Sequence, residues 1–401
     1  MKKKNICRLL LPAGIISAVF LLAACSSRKT GSGQSFEDQP LDDFTAYTSN
    51  IMTTTPEGYY AVIGEFLYYI SPDFKESTIV CSKPDCIHNE KNVTNTYEYT
   101  ECDAYFMSAQ NIDYYDDHLY ILAWNGSGND LYQVSLDGTE RTLYYQAQVD
   151  CLFSIYNGYV YVGESSYTSE GKIHKLTAFP VDDPDKTEVL YESDDYPEST
   201  MNRMRFYNGN CYFYLFDPVE TGEKGDSIYL KIDLENGKTE EMYKQSDCHL
   251  EWNDYGMLVE VMDYITFDPE AQWTSRYYHI DPDSGEEKEL TEEDFSAIAT
   301  NDMLSNMDDK YIYFETINSD GGELTAEEQK VKVYDYDGNL QAEILTGDMG
   351  EMFWVLAGTD QYLFIQQRVV EDGSYALWYV DKSEFNGGTV KPQKIELAGR
   401  G

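Results

Sequence analysis

A chain of 401 residues with 72 acidic against 29 basic side chains carries a formal charge of −43 at pH 7. Such a surface repels nucleic acid and anionic lipid headgroups, whose binding requires Lys and Arg to neutralise phosphate. The 36 tyrosines and 17 phenylalanines equally exclude an acidic disordered tail, which lacks apolar surface to bury.

The chain opens on "MKKKNICRLLLPAGIISAVFLLAACSSRKT", in which Lys2, Lys3, Lys4 and Arg8 precede an apolar run from about Leu9 to Leu22. A basic end, a short hydrophobic core and small residues before a cut are the layout of a secretory signal. The run is short for a transmembrane helix, which needs about 20 apolar residues. Leu22-Ala23-Ala24-Cys25 resembles the lipobox of bacterial lipoproteins. That resemblance implies a signal peptide over residues 1–24, diacylglycerol on the Cys25 sulfur, and Cys25 as the mature N-terminus. Lipid chains anchor by burying methylenes, so the protein is expected on the extracytoplasmic face of a bacterial membrane, held there and not spanning it. Losing four basic residues and no acidic ones takes the charge from −43 to −47. Residues 25–42 are polar, with Gly31, Ser32 and Gly33, and read as a flexible tether.

From residue 43 to 401 a single domain of repeats is predicted. A unit recurs in which an aromatic meets an Asx-Gly or Asp-Asp turn, followed by a short alternating strand ending in Tyr. A second Tyr-rich strand and a further Asp-Gly-like turn complete it. In chain order the copies are "EGYYAVIGEFLYYISPDF" from Glu57, "YYDDHLYIL" with "LYQVSLDGTE" from Tyr114, and "IYNGYVYVG" from Ile155. They continue as "FYNGNCYFYLF" with "IYLKIDLENGKT", "WNDYGMLVEV" with "YYHIDPDSGEE", "MDDKYIYFET" with "VKVYDYDGNL", and "TDQYLFIQQ" with "LWYVDKSEF". Tyr, Val, Ile and Phe suit a pleated half-buried surface, and Asn-Gly and Asp-Gly supply the positive φ of tight hairpins. Helical patterning is confined to Thr291–Leu304. A repeat of about fifty residues is the period of four-stranded propeller blades. The expected fold is therefore all-β: a β-propeller of about seven four-stranded blades, six or eight also fitting the spacing. Residues 43–50 are expected to supply a strand that closes the ring, and an acidic shell points to a monomer.

The repeats resemble propellers of the low-density-lipoprotein-receptor YWTD type. With the lipobox and "CSKPDCIH" followed by "CDAYF", they are similar to a family of Gram-positive surface lipoproteins with receptor-related-protein-like propellers. No copy reads YWTD, the nearest being "LWYVD" at Leu377–Asp381, so the resemblance implies fold and not ligand.

Cys81, Cys86, His88 and Cys102 lie where the first blade hands over to the second, in a loop over residues 81–102. Three thiols and one imidazole equal the ligand set of a closed tetrahedral zinc site. The spacing is not that of a standard zinc finger. A disulfide, Cys86–Cys102 or Cys81–Cys102, is the alternative outside the cytoplasm, and it leaves one thiol over. Cys151, Cys211 and Cys248 read as small buried hydrophobes. The single histidines, His118, His174, His249 and His279, form no triad, and the Asp-Gly turns lack a full calcium loop.

No serine elbow, zincin motif or phosphate loop is present, so no catalytic residue is predicted. The absence favours a non-catalytic surface module binding a glycan, peptide or protein. The alternative is a carbohydrate-active hydrolase or lyase whose acids come from scattered blades and leave no linear motif.

Overall fold

A computed structural model describes residues 51–398 apart from 87, 89–101, 148, 150, 170, 208, 217–225, 247, 254–255, 264–273, 281–285, 301, 309, 317–323, 351 and 371–372. The signal, the tether, Cys25 and the strand expected from residues 43–50 therefore lie outside the described residues.

The described residues form seven sheets, each built around four antiparallel strands that are consecutive in the chain in all but the last sheet. The seven coincide with the seven sequence units. Their innermost strands are Met52–Thr55, Ala109–Tyr115, Cys151–Tyr156, Thr200–Tyr207, Cys248–Asn253, Met303–Met307 and Phe353–Gly358. Blade 6 gains a fifth strand, Gly388–Val390, parallel to Leu340–Leu345. Blade 7 is completed by Gln393–Ile395, so each sheet is filled without a strand from residues 43–50.

Turn chemistry sets the hairpins. Asn157 and Gly158 have φ of 51° and 75°, and Asp116 and Asp117 have 48° and 60°. Two successive positive φ values match the right-handed twist of the flanking strands. The helix expected over Thr291–Leu304 shrinks to Ser296–Thr300. Thr291 instead turns on Asp294, whose carboxylate accepts from the Thr291 N–H at 3.0 Å and hydroxyl at 3.1 Å. Leu304 is pulled into the inner strand of blade 6, where it is fully buried.

Tyrosine suits these blades because its ring can fill an inter-blade face while its hydroxyl reaches a partner. Tyr60 OH donates to Leu136 O at 3.1 Å, joining blades 1 and 2. Tyr277 OH donates to Asp302 O at 3.2 Å, joining blades 5 and 6. Inner strands are tied directly as well: Asn111 Nδ2 donates to Phe153 O at 2.8 Å and Asn306 Nδ2 to Val355 O at 3.0 Å. One apolar cluster joins Leu356, Phe364 and Leu377 of blade 7 to Ile63 and Phe66 of blade 1 and Ile112 and Leu119 of blade 2. Burying each such side chain contributes about 1.5–3 kcal/mol.

The ring meets itself between blades 7 and 1. Phe74 packs on Tyr379 at 4.1 Å and on Tyr362 at 4.8 Å between ring centroids. Ser77 Oγ donates to Glu396 O and accepts from Ala398 N–H, both at 2.8 Å. Because strands alternate in direction, the starts of first strands, the ends of second strands and the ends of fourth strands share one face of the ring.

Candidate functional site

The crossover from blade 1 to blade 2 lies on that face. Cys81 follows the outer strand Ser77–Ile79, and Cys102 precedes the inner strand Ala109–Tyr115. The structure brings Cys81, Cys86, His88 and Cys102 together, with their ligand atoms all within 4.8 Å of one another. In a tetrahedral site with metal–sulfur bonds of about 2.3 Å, the sulfurs stand about 3.8 Å apart. All three cysteines are free thiols, so neither alternative bridge is formed in this structure.

Chemistry at the four atoms agrees with metal binding. His88 Nε2 is buried and has no hydrogen-bond partner among the described residues. Such an orphaned atom is costly unless something binds it. Burial also lowers the His88 pKa, favouring the neutral imidazole that a metal needs. Burial raises the Cys86 and Cys102 thiols. At Cys81, burial is outweighed by the backbone N–H groups of Lys83 and Asp103 and by the neighbouring thiols, and the thiol is lowered. This Cys3His group could hold a metal ion.

Basic side chains brace the loop. Lys83 Nζ pairs with Asp103 at 3.0 Å, and Ser82 Oγ donates to the same carboxylate at 3.1 Å. Arg141, from the outer strand of blade 2, donates to Cys102 O at 3.1 Å and Tyr105 O at 2.7 Å. Its guanidinium lies 4.2 Å from the Phe106 ring centroid and 4.3 Å from that of Tyr132. Phe66 meets His88 edge-on, with ring centroids 6.1 Å apart.

Sequence reasoning missed Glu315. It ends the second strand of blade 6, Tyr311–Glu315, and pairs with Met303 at the start of the inner strand. Burial pushes its carboxyl up to about 7, although the Ser305 hydroxyl donates to it. No cation pairs with it among the described residues. Two carboxylates of blade 6 that are more deeply buried do have cations: Asp302 pairs with Lys332, and Asp308 with Lys382 at 2.7 Å. Asp308 also accepts from Tyr313 OH and the Tyr311 N–H, and Lys382 donates to Thr359 O, which welds blade 6 to blade 7. Only the unusual position of Glu315, closing the apolar run "YIYFE", could have separated it from 71 other acids.

Other expectations are met more simply. Cys151 and Cys211 are buried and form no disulfide, and the Cys248 side chain lies outside the described residues. His174 is fully buried, with Nδ1 2.9 Å from Ser165 Oγ and Nε2 3.0 Å from Tyr196 O.

No protein-family model and no curated protein matches the chain. The expected membership of a Gram-positive lipoprotein family of YWTD type therefore has no such support, and what stands is the propeller. Solved structures do match. A puromycin hydrolase aligns over 92% of this chain and 55% of its own at 11% identity, with a TM-score of 0.50. An acylaminoacyl peptidase from Pyrococcus horikoshii aligns over 76% of this chain and 47% of its own at 13% identity, TM-score 0.48. An oligogalacturonate lyase from Vibrio parahaemolyticus aligns over 87% and 92% at 9% identity, TM-score 0.49. The chain thus spans about half the length of the hydrolase and the peptidase. At these identities the likeness shows the fold alone. It also corrects the expectation of a non-catalytic protein: a propeller of this shape occurs in a hydrolase, so a missing linear motif is no ground for excluding catalysis.

Proposed function

We propose that the chain is an extracytoplasmic β-propeller enzyme, a hydrolase or lyase acting on carbohydrate, with Glu315 as its proton donor. The carrying observation is Glu315 itself: a partly buried carboxyl raised to about 7, with no cation paired to it among the described residues, at the face where the blade ends gather. An acid whose pKa lies near the working pH combines availability of the proton with driving force to deliver it. Structural carboxylates are normally paired, as Asp302 and Asp308 are, and an unpaired one costs stability that function explains. In hydrolysis or elimination alike, the group would protonate the departing sugar oxygen. The test is product release from a panel of polysaccharides, read as new reducing ends or unsaturated sugars. Glu315→Gln should lower the rate about a hundredfold or more without lowering the melting temperature. An unchanged rate would remove Glu315 from the reaction.

The Cys3His group is proposed to hold a structural zinc, which closes all four ligand positions and leaves none for substrate. Cys25 is proposed as the lipid attachment point, which would keep the face near the cell surface. Cys25→Ser should shift the protein from the washed membrane fraction to the soluble one, and equal retention of both forms would contradict lipidation.

A further inference from the structure

A cavity of about 300 Å3 opens on the same face where blades 7, 1 and 2 meet. That volume is at the small end of ligand pockets, which run from about 300 to 1,000 Å3. Trp354 and Tyr375 supply aromatic walls, Leu356 an apolar one, and Glu65, Gln366 and Ser108 the polar groups. Trp354 and Gln366 are cross-strand partners, so one sheet face presents both.

Glu65 is the only charged residue of the lining. It sits in the two-residue turn Gly64–Glu65, with φ of 58° and 70°. A tight hairpin of this kind favours Asn or Gly, and a side chain as long as Glu is held there against its backbone preference. Its carboxylate is fixed from the neighbouring crossover: Tyr105 OH donates to Oε2 at 3.0 Å and the Ser108 N–H to Oε1 at 3.3 Å. The Glu65 carbonyl accepts from Phe106 N–H at 2.8 Å. Two donors leave about half of the four acceptor sites of a carboxylate open to a ligand.

We propose that this pocket binds a small organic cation, an alkylammonium group on a compact ligand. A cation is attracted to aromatic faces through the ring quadrupole and to a fixed carboxylate by charge, and the two act together where water is excluded. The chain's charge of −43 adds attraction at long range and works against anionic ligands. The crossover that carries Cys102 also carries Tyr105 and Ser108, so bracing that loop orients the carboxylate. Binding here is independent of the proton-donor role of Glu315 and stands or falls separately.

Calorimetric titration of the full-length protein in an uncharged detergent at low salt tests this, with choline, n-butylammonium, D-glucosamine and D-glucose as probes. The three cations should bind and D-glucose should not. Glu65→Gln should raise their Kd about tenfold, and Trp354→Phe, which keeps an aromatic wall, should raise it less. A concentration of about 0.5 M NaCl should weaken binding through screening. Equal binding of D-glucose and D-glucosamine, indifferent to Glu65→Gln, would make the pocket a neutral-sugar site and overturn the proposal. Absence of cation binding to the unaltered protein would overturn it as well, and so would cation binding that both variants leave unchanged.

Discussion

Removing the zinc proposed for the Cys3His group should lower the melting temperature by roughly 5–10 °C while leaving the β-sheet signal intact. The ligands come from two ends of a crossover and converge only in the folded chain, so binding energy is folding energy for that segment. The seven sheets are held by their own blade-to-blade packing, and Arg141 still clamps Cys102 and Tyr105 through their carbonyls. His88→Ala should reproduce the chelator effect, because it removes one ligand and leaves three crowded thiols. Cys102→Ser should cost more than His88→Ala, since Cys102 is 2% exposed and the hydroxyl replaces a buried sulfur. Differential scanning calorimetry with metal analysis on the same samples reads these changes. Indifference to chelator and to His88→Ala, with thiols alkylated only after reduction, would instead establish a disulfide.

Glu315→Gln should be more stable than the unaltered protein above pH 7 by about 3 kcal/mol, and equally stable near pH 4. The folded protein holds the Glu315 proton up to about pH 7, whereas the unfolded chain releases it near 4.5. Between those values the native state binds more protons than the unfolded state, so this group's contribution falls as pH rises. It is fully present below 4.5 and lost above about 7. Glutamine keeps the shape and the link to Ser305 without a charge to desolvate, so only the difference between the two proteins isolates this effect. Urea titrations of both proteins at pH 4, 6 and 8 provide the check.

The blades were legible because their signals are local. Asn157-Gly158 and Asp116-Asp117 announce hairpins, and alternation of Tyr with aliphatics marks the strands between them. The Cys3His cluster was legible because cysteine is scarce and three of eight fall within 22 residues with a histidine. What escaped is what only tertiary packing creates. Lys382 and Asp308 are 74 positions apart, and nothing in either neighbourhood announces their ion pair. The strand Gly388–Val390, which leaves blade 7 to extend blade 6, has no pattern of its own. Glu65 and Glu315 are two acids among 72, set apart by a turn conformation and by burial respectively. The short helix at Ser296–Thr300 was over-read because Thr291 opens a turn with the same chemistry that opens a helix.

The proton on Glu315 is the most direct thing to measure. Infrared difference spectra of the unaltered protein minus Glu315→Gln, recorded across pH 5 to 9, should show the C=O stretch of a protonated carboxyl. Its intensity should fall to half near pH 7 as the carboxylate bands grow in. A carboxylate signature already complete at pH 5 would mean that Glu315 is an ordinary ionised acid, and the proposed proton donor would be lost with it.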